Sequence, residues 1–221
     1  MPQQLIMRLF GILLTVPAAL ISIAVHESAH GYVSYKQGDP TAKNLGRITL
    51  NPLKHFDLFG FVCMVLFRVG WARPVPVNPR YYKNPRRGMS ITAAAGPISN
   101  IIMAFIGVIG YELVGLISFP EMNTAYYICV TIYMFFQVFA SLNVFLAIFN
   151  LIPIPPFDGS RIAYIFMPPK AYFGIMKYER FIMLGMVVLL WLGILDVPLD
   201  FLSGALLGGM EWLVELIPIF K

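Results

Sequence analysis

The sequence is poor in charge, poor in histidine and nearly free of cysteine. Only 12% of its 221 residues are Asp, Glu, Lys or Arg, about half the share of a soluble domain. That shortage excludes a soluble globular domain of useful size. Cys63 and Cys129 stand far apart in apolar runs. This excludes a cysteine-held metal and reads as packing. No internal repeat, low-complexity tract or long linker interrupts the chain. The net charge of +5 lies in loops between apolar runs, where it marks membrane sidedness rather than a nucleic-acid face.

What fills the chain instead is apolar: 58% of residues are hydrophobic, and runs of spanning length recur throughout. The expected fold is an all-α polytopic membrane protein with about five full transmembrane helices. They cover roughly 5–35, 89–119, 126–152, 181–195 and 201–220. The apolar stretch after Arg8 is read as the first membrane helix rather than a leader. A shorter apolar segment, 58–69, would reach about 18 Å as a helix, against a hydrocarbon core of about 30 Å. It is expected to be re-entrant or interfacial. Small membrane-associated β-strands are expected at "GRITLN" (46–51) and "PVPV" (74–77), the second as an edge because proline cannot serve in a central strand. The whole of 1–221 reads as one domain: a core over about 5–161 and two additional helices over about 181–220.

The loops 36–57, 70–88 and 161–180 hold thirteen of the sixteen Lys and Arg. By the positive-inside rule they face the cytoplasm. With five crossings the N-terminus lies outside and the C-terminus in the cytoplasm. Arg47, Lys54, Arg86 and Arg87 are expected to set this topology and meet anionic lipid. Tyr81, Tyr82, Tyr126, Tyr127, Trp71 and Trp212 fit an aromatic belt. Gly204 and Gly208 form a G-x-x-x-G pair expected to pack helices.

Two of the three histidines fall in "HESAH", residues 26–30. Positions i and i+4 share one helix face, so His26 and His30 can reach one metal ion while Glu27 meets a water beside it. His-Glu-x-x-His is a sequence sign of a zinc metalloprotease. Ionisable groups at this depth cost about 2.5 kcal/mol or more each unless paired, which argues against a packing role. Ser28, Ala29 and Gly31 are small and admit close neighbours. A catalytic zinc takes three protein ligands and keeps one position open. Asp39, Asp57, Asp158, Glu179 and His55 are candidates for the third ligand. Asp158 leads, because Pro153, Pro155 and Pro156 end the preceding helix and Gly159 allows a turn. His55 and Asp57, in a loop that can fold back, come next. Asn100 and Asn150 are candidates for an oxyanion or substrate contact, with interhelical packing as the alternative. Gly96 and Pro97 are expected to shape a helix start.

Taken together, "HESAH", "GRITLNPLKHFD", "AAAGPISN" and "FNLIPIPPFDGSR" resemble the site-2 protease family of intramembrane zinc metalloproteases, in a compact form without an inserted peptide-binding domain. The likeness runs from about residue 21 to 161. It implies one Zn2+ held by His26, His30 and Asp158, with Glu27 as catalytic base. It further implies a membrane-spanning protein substrate, cleaved on the cytoplasmic side of the bilayer. The competing expectation is a zinc-binding membrane protein without proteolysis, such as a transporter or chaperone-like protein. The intact Glu27 argues against it, since metal binding alone needs no base.

Overall fold

The computed structural model describes residues 2–58, 60, 72–118 and 120–220. The expected re-entrant segment lies almost wholly outside the described residues, as do Cys63 and Trp71. Eight α-helices are described: α1 (Pro2–Lys36), α2 (Thr41–Asn44), α3 (Pro85–Gly115), α4 (Thr124–Leu151), α5 (Asp158–Ala163), α6 (Pro169–Met176), α7 (Glu179–Trp191) and α8 (Asp196–Glu215). The long helices start where the sequence offers caps. Asn84 Oδ1 accepts the Arg87 N–H at 3.1 Å, with Pro85 at the first helical position. Asn123 Oδ1 accepts the Tyr126 N–H at 3.1 Å. Each satisfies a backbone donor that a helix start leaves free.

The centre of the molecule is α1 set against α3 and α4. Buried residues on α1 recur every fourth position: Leu14, Ala18, Ser22, His26, His30 and Ser34. Such an i±4 ridge packs into the groove of a facing helix. The facing surfaces are built from small residues, including Ala93, Gly96, Ala104 and Gly107 on α3 and Ala140 and Ala147 on α4. A Cβ added at Gly107 would stand 2.9 Å from the Ala140 Cβ, so glycine sets the α3–α4 approach. At the far end of these helices, Val108, Tyr111, Val144, Met210 and Val214 join α8 to the core.

Four of the described helices, not five, are long and apolar enough to cross a membrane: α1, α3, α4 and α8. The expected crossing at 181–195 is the correction. It is α7, thirteen residues long, or about 20 Å. Gly193 stops it in the left-handed region, φ +69°. Its N–H bonds Leu190 O at 3.0 Å and the Ile194 N–H bonds Leu189 O at 3.1 Å. This is the Schellman pattern, in which glycine avoids the Cβ penalty. The last helix therefore begins at Asp196 rather than near 201. Gly204 and Gly208 have nothing within 4 Å of an added Cβ, so their expected helix packing is absent among the described residues.

The two expected β-strands are likewise absent among the described residues. The reason is where the backbone donors go. Pro74 and Pro76 have none. The Arg73 N–H bonds His55 O at 2.9 Å, the Val75 N–H bonds Glu27 Oε2 at 2.7 Å, and the Asn78 N–H bonds Asp39 Oδ2 at 2.7 Å. Segment 72–78 is thus extended but tied to side chains and loop, with almost nothing left for a ladder.

Two arginines expected at the lipid surface are also placed otherwise. Arg47 is buried, and its Nη2 donates to Arg73 O at 2.6 Å. Arg86 donates from Nε to Tyr164 O at 2.8 Å and from Nη2 to Met167 O, taking up carbonyls just beyond α5. Tyr82, expected in the aromatic belt, is 5% exposed, whereas Tyr81, Tyr127 and Trp212 are exposed as a belt requires.

Candidate metal centre

His26 and His30 lie one turn apart on the buried ridge of α1. Each imidazole is held at Nδ1, from α3. His26 Nδ1 lies 2.8 Å from Asn100 Oδ1, and His30 Nδ1 lies 2.8 Å from Thr92 O. Both partners are acceptors, so both Nδ1 atoms carry the proton and both Nε2 atoms present a lone pair. Those lone pairs converge, with Nε2 to Nε2 at 3.0 Å.

Asp158 closes the triangle. Its Oδ2 stands 3.2 Å from His26 Nε2 and 3.1 Å from His30 Nε2. The proline-rich loop after α4 turns the chain, and α5 carries the carboxylate inward. Gly159 makes this possible by close approach rather than by an unusual turn. A Cβ there would lie 2.3 Å from Leu151 O and 2.4 Å from Ile152 O. Ser90 Oγ fixes the other end of α5 by donating to Arg161 O at 2.9 Å, beside the Arg86 contacts.

Three electron-pair donors 3.0–3.2 Å apart repel one another unless a cation or protons lie among them. A tetrahedral zinc with bonds of about 2.0–2.1 Å spaces its ligands about 3.3 Å apart. The donor set and its spacing fit such an ion, and these are the three residues whose ligand atoms cluster among the described residues. Gly96 lies against the same point. An added Cβ would be 2.5 Å from His26 Nε2 and 2.5 Å from His30 Nε2. The expectation that Gly96 and Pro97 shape a helix start is corrected, since both lie inside α3. The glycine keeps the space beside the donors clear.

The other candidates are placed elsewhere. Glu27 is half-buried, and its Oε2 accepts the Val75 N–H. Asn100 is 1% exposed and turns its oxygen to His26. Asn150 donates back to Leu146 O of its own helix at 2.9 Å. His55 is buried with Nε2 at 2.9 Å from Thr49 O, near Ser28. Asp57 accepts the Gly60 N–H at 2.8 Å. Asp39 is enclosed by hydrogen-bond donors, and Glu179 begins α7. Gly31 lies against α2 and the two loops as its size suggests, an added Cβ meeting Val75 at 3.1 Å and Ile48 at 3.2 Å. The roles of Gly96 and Thr92 were not visible in sequence. Their only signal there was the density of small residues in "TAAAG".

A family model described as peptidase family M50 matches residues 111–193, a stretch containing Asp158 but not the histidines. A protein of Bacillus subtilis named "Putative zinc metalloprotease YwhC" is 42% identical over 171 residues, covering 77% of this chain and 75% of its own length. Another, named "Putative zinc metalloprotease Rip2", from Mycolicibacterium smegmatis, is 26% identical over 184 residues, 80% of this chain and 66% of its own. No solved structure matches the chain.

Proposed function

The chain belongs to peptidase family M50, the site-2 protease family, and on that premise we propose that it is an intramembrane zinc endopeptidase cutting a peptide bond within or near the transmembrane segment of a membrane protein. The observation that carries this is the convergence of His26 Nε2, His30 Nε2 and Asp158 Oδ2 within 3.2 Å, set among helices long enough to span a bilayer.

His26, His30 and Asp158 would hold the ion, with Asn100 and Thr92 fixing the two imidazoles in the metal-binding tautomer. Bound there, zinc supplies a Lewis acid that activates water and polarises a carbonyl. Glu27 sits next to the first ligand on α1. With Oε2 fixed by Val75, its Oε1 takes a proton from the attacking water and returns it to the leaving amine. A transmembrane helix hides its peptide bonds in its own hydrogen-bond ladder, so the substrate must unwind locally before cleavage. Asn150 gives one amide N–H to Leu146 O and keeps the second for an oxyanion. The basic loops favour a cytoplasmic position for this end of the bundle. Counted over the described residues, four spanning helices would then put residues 2 and 220 on the outer side.

The test is reconstitution in vesicles with a single-span substrate, measuring bound zinc and cleavage together. Glu27→Gln is expected to keep zinc and lose cleavage by about 10²–10⁴-fold. Asp158→Ala is expected to lose zinc. A Glu27→Gln protein that cleaves like the parent refutes the mechanism, and a zinc-loaded parent that cleaves nothing favours the non-proteolytic reading.

A further inference from the structure

Asp39 lies outside the donor triangle, fully buried at 0% exposure, and no lysine or arginine pairs with it among the described residues. Donors surround it instead. Ser34 Oγ donates at 2.8 Å, the Thr41 N–H at 2.9 Å and the Asn78 N–H at 2.7 Å, with the Thr41 hydroxyl as a fourth. Burial would raise its pKa, but these bonds hold it below the ordinary carboxylate value.

Two branches leave this carboxylate. In the first, the Ser34 proton is committed to Asp39, so Ser34 Oγ can only accept from Tyr82 OH, 2.7 Å away. Tyr82 has then spent its proton and must accept from Thr92 Oγ1 at 3.1 Å. Thr92 in turn accepts from Gln37 Nε2 at 2.8 Å. Each hydroxyl has one donor role and one acceptor role, a fully determined chain. It ends on the residue whose backbone carbonyl takes the His30 Nδ1 proton. The ring of Tyr82 is wedged against Gly88, where an added Cβ would come within 2.4 Å of it.

In the second branch, the Asn78 N–H bond anchors the end of the extended segment. Three residues earlier, the Val75 N–H holds Glu27 Oε2. Arg47 pins the other end through Arg73 O and Pro74 O.

We propose that Asp39 is a positioning residue that sets both His30 and Glu27, the first through Ser34, Tyr82 and Thr92 and the second through Asn78 and Val75. This rests on the zinc endopeptidase reading. It also explains why a charge is kept buried in a loop beside the motif: one carboxylate fixes the metal side and the base side of the site together.

The two branches can be cut separately. Zinc affinity is read by competition with a chromogenic chelator, and kcat on the reconstituted single-span substrate at saturating zinc. Tyr82→Phe interrupts the first branch alone. It is expected to weaken zinc about tenfold and to lower kcat less than Asp39→Asn does. Asp39→Asn sets an amide against the surrounding donors. It is expected to weaken zinc at least as much and to lower kcat about tenfold or more. If Asp39→Asn does not fold, Asp39→Glu carries the test, keeping the charge but displacing it by one methylene. Folded variants with reduced thermal stability but parental zinc affinity and kcat would overturn the proposal, because a purely structural role predicts that pattern. Equal kcat losses in Tyr82→Phe and Asp39→Asn would overturn the two-branch arrangement. A parent protein that binds no zinc would refute the endopeptidase reading, and this proposal with it.

Discussion

Gly96→Ala adds one methyl group at a crowded point beside the donor triangle. Its Cβ would stand 2.5 Å from His26 Nε2, His26 Cε1 and His30 Nε2. Non-bonded carbon and nitrogen settle near about 3.5 Å, so the overlap is about 1 Å. Neither side can yield freely. Both imidazoles are pinned at Nδ1 by 2.8 Å hydrogen bonds, and α3 is wedged against α4 at Gly107 and Gly110, where added Cβ atoms would already be within 3.0 Å of Ala140 and Phe136. A metal site tolerates ligand displacements of about 0.2 Å. The strain therefore falls on the donors, and zinc affinity should drop by about 100-fold or more, equivalent to about 2.7 kcal/mol. Folding should suffer as in an overpacked core, by about 1–3 kcal/mol. Zinc content and chelator competition on purified protein, alongside thermal unfolding, separate the two losses. Gly209→Ala is the control, since nothing lies within 4 Å of its added Cβ. Parental zinc affinity in Gly96→Ala would refute the idea that this glycine keeps the donor pocket clear.

Asn100→Ala removes the acceptor of the His26 Nδ1 proton, so zinc affinity should fall about 10–100-fold, and Asn100→Asp, which restores an oxygen, should recover part of it in the same competition assay. The depressed pKa of Asp39 gives a signed pH dependence. Its stabilisation is present above the unfolded value of about 3.9 and is lost as pH falls through the lower folded value. Unfolding temperature followed from pH 6 down to about pH 3 should show a fall in the parent that is smaller in Asp39→Asn.

The motif helix was legible because its histidines are four residues apart, a spacing that one helix turn converts directly into proximity. Asp158 was legible in kind, as a carboxylate after a proline-broken helix. Its arrival at the histidines depends on Gly159 sliding under the carbonyls of α4, a contact that composition does not announce. Asn100 was singled out, but its contact with His26 was not, since which end of an amide faces which group is decided by helices more than seventy residues apart in sequence. The strand pattern in "PVPV" failed because alternation describes side chains, whereas here side chains of Glu27 and Asp39 had already claimed the backbone donors. The supposed fifth crossing failed on a single left-handed glycine.

Two donors ride on the first long helix and the third on a six-residue helix that follows the third span. An ion gripped by all three is consequently a rivet between distant parts of the chain as well as a reagent. Stripping it out with a chelator should let the short helix swing on its loop and expose the neighbouring backbone to protease. Occupancy and local rigidity would then rise and fall together.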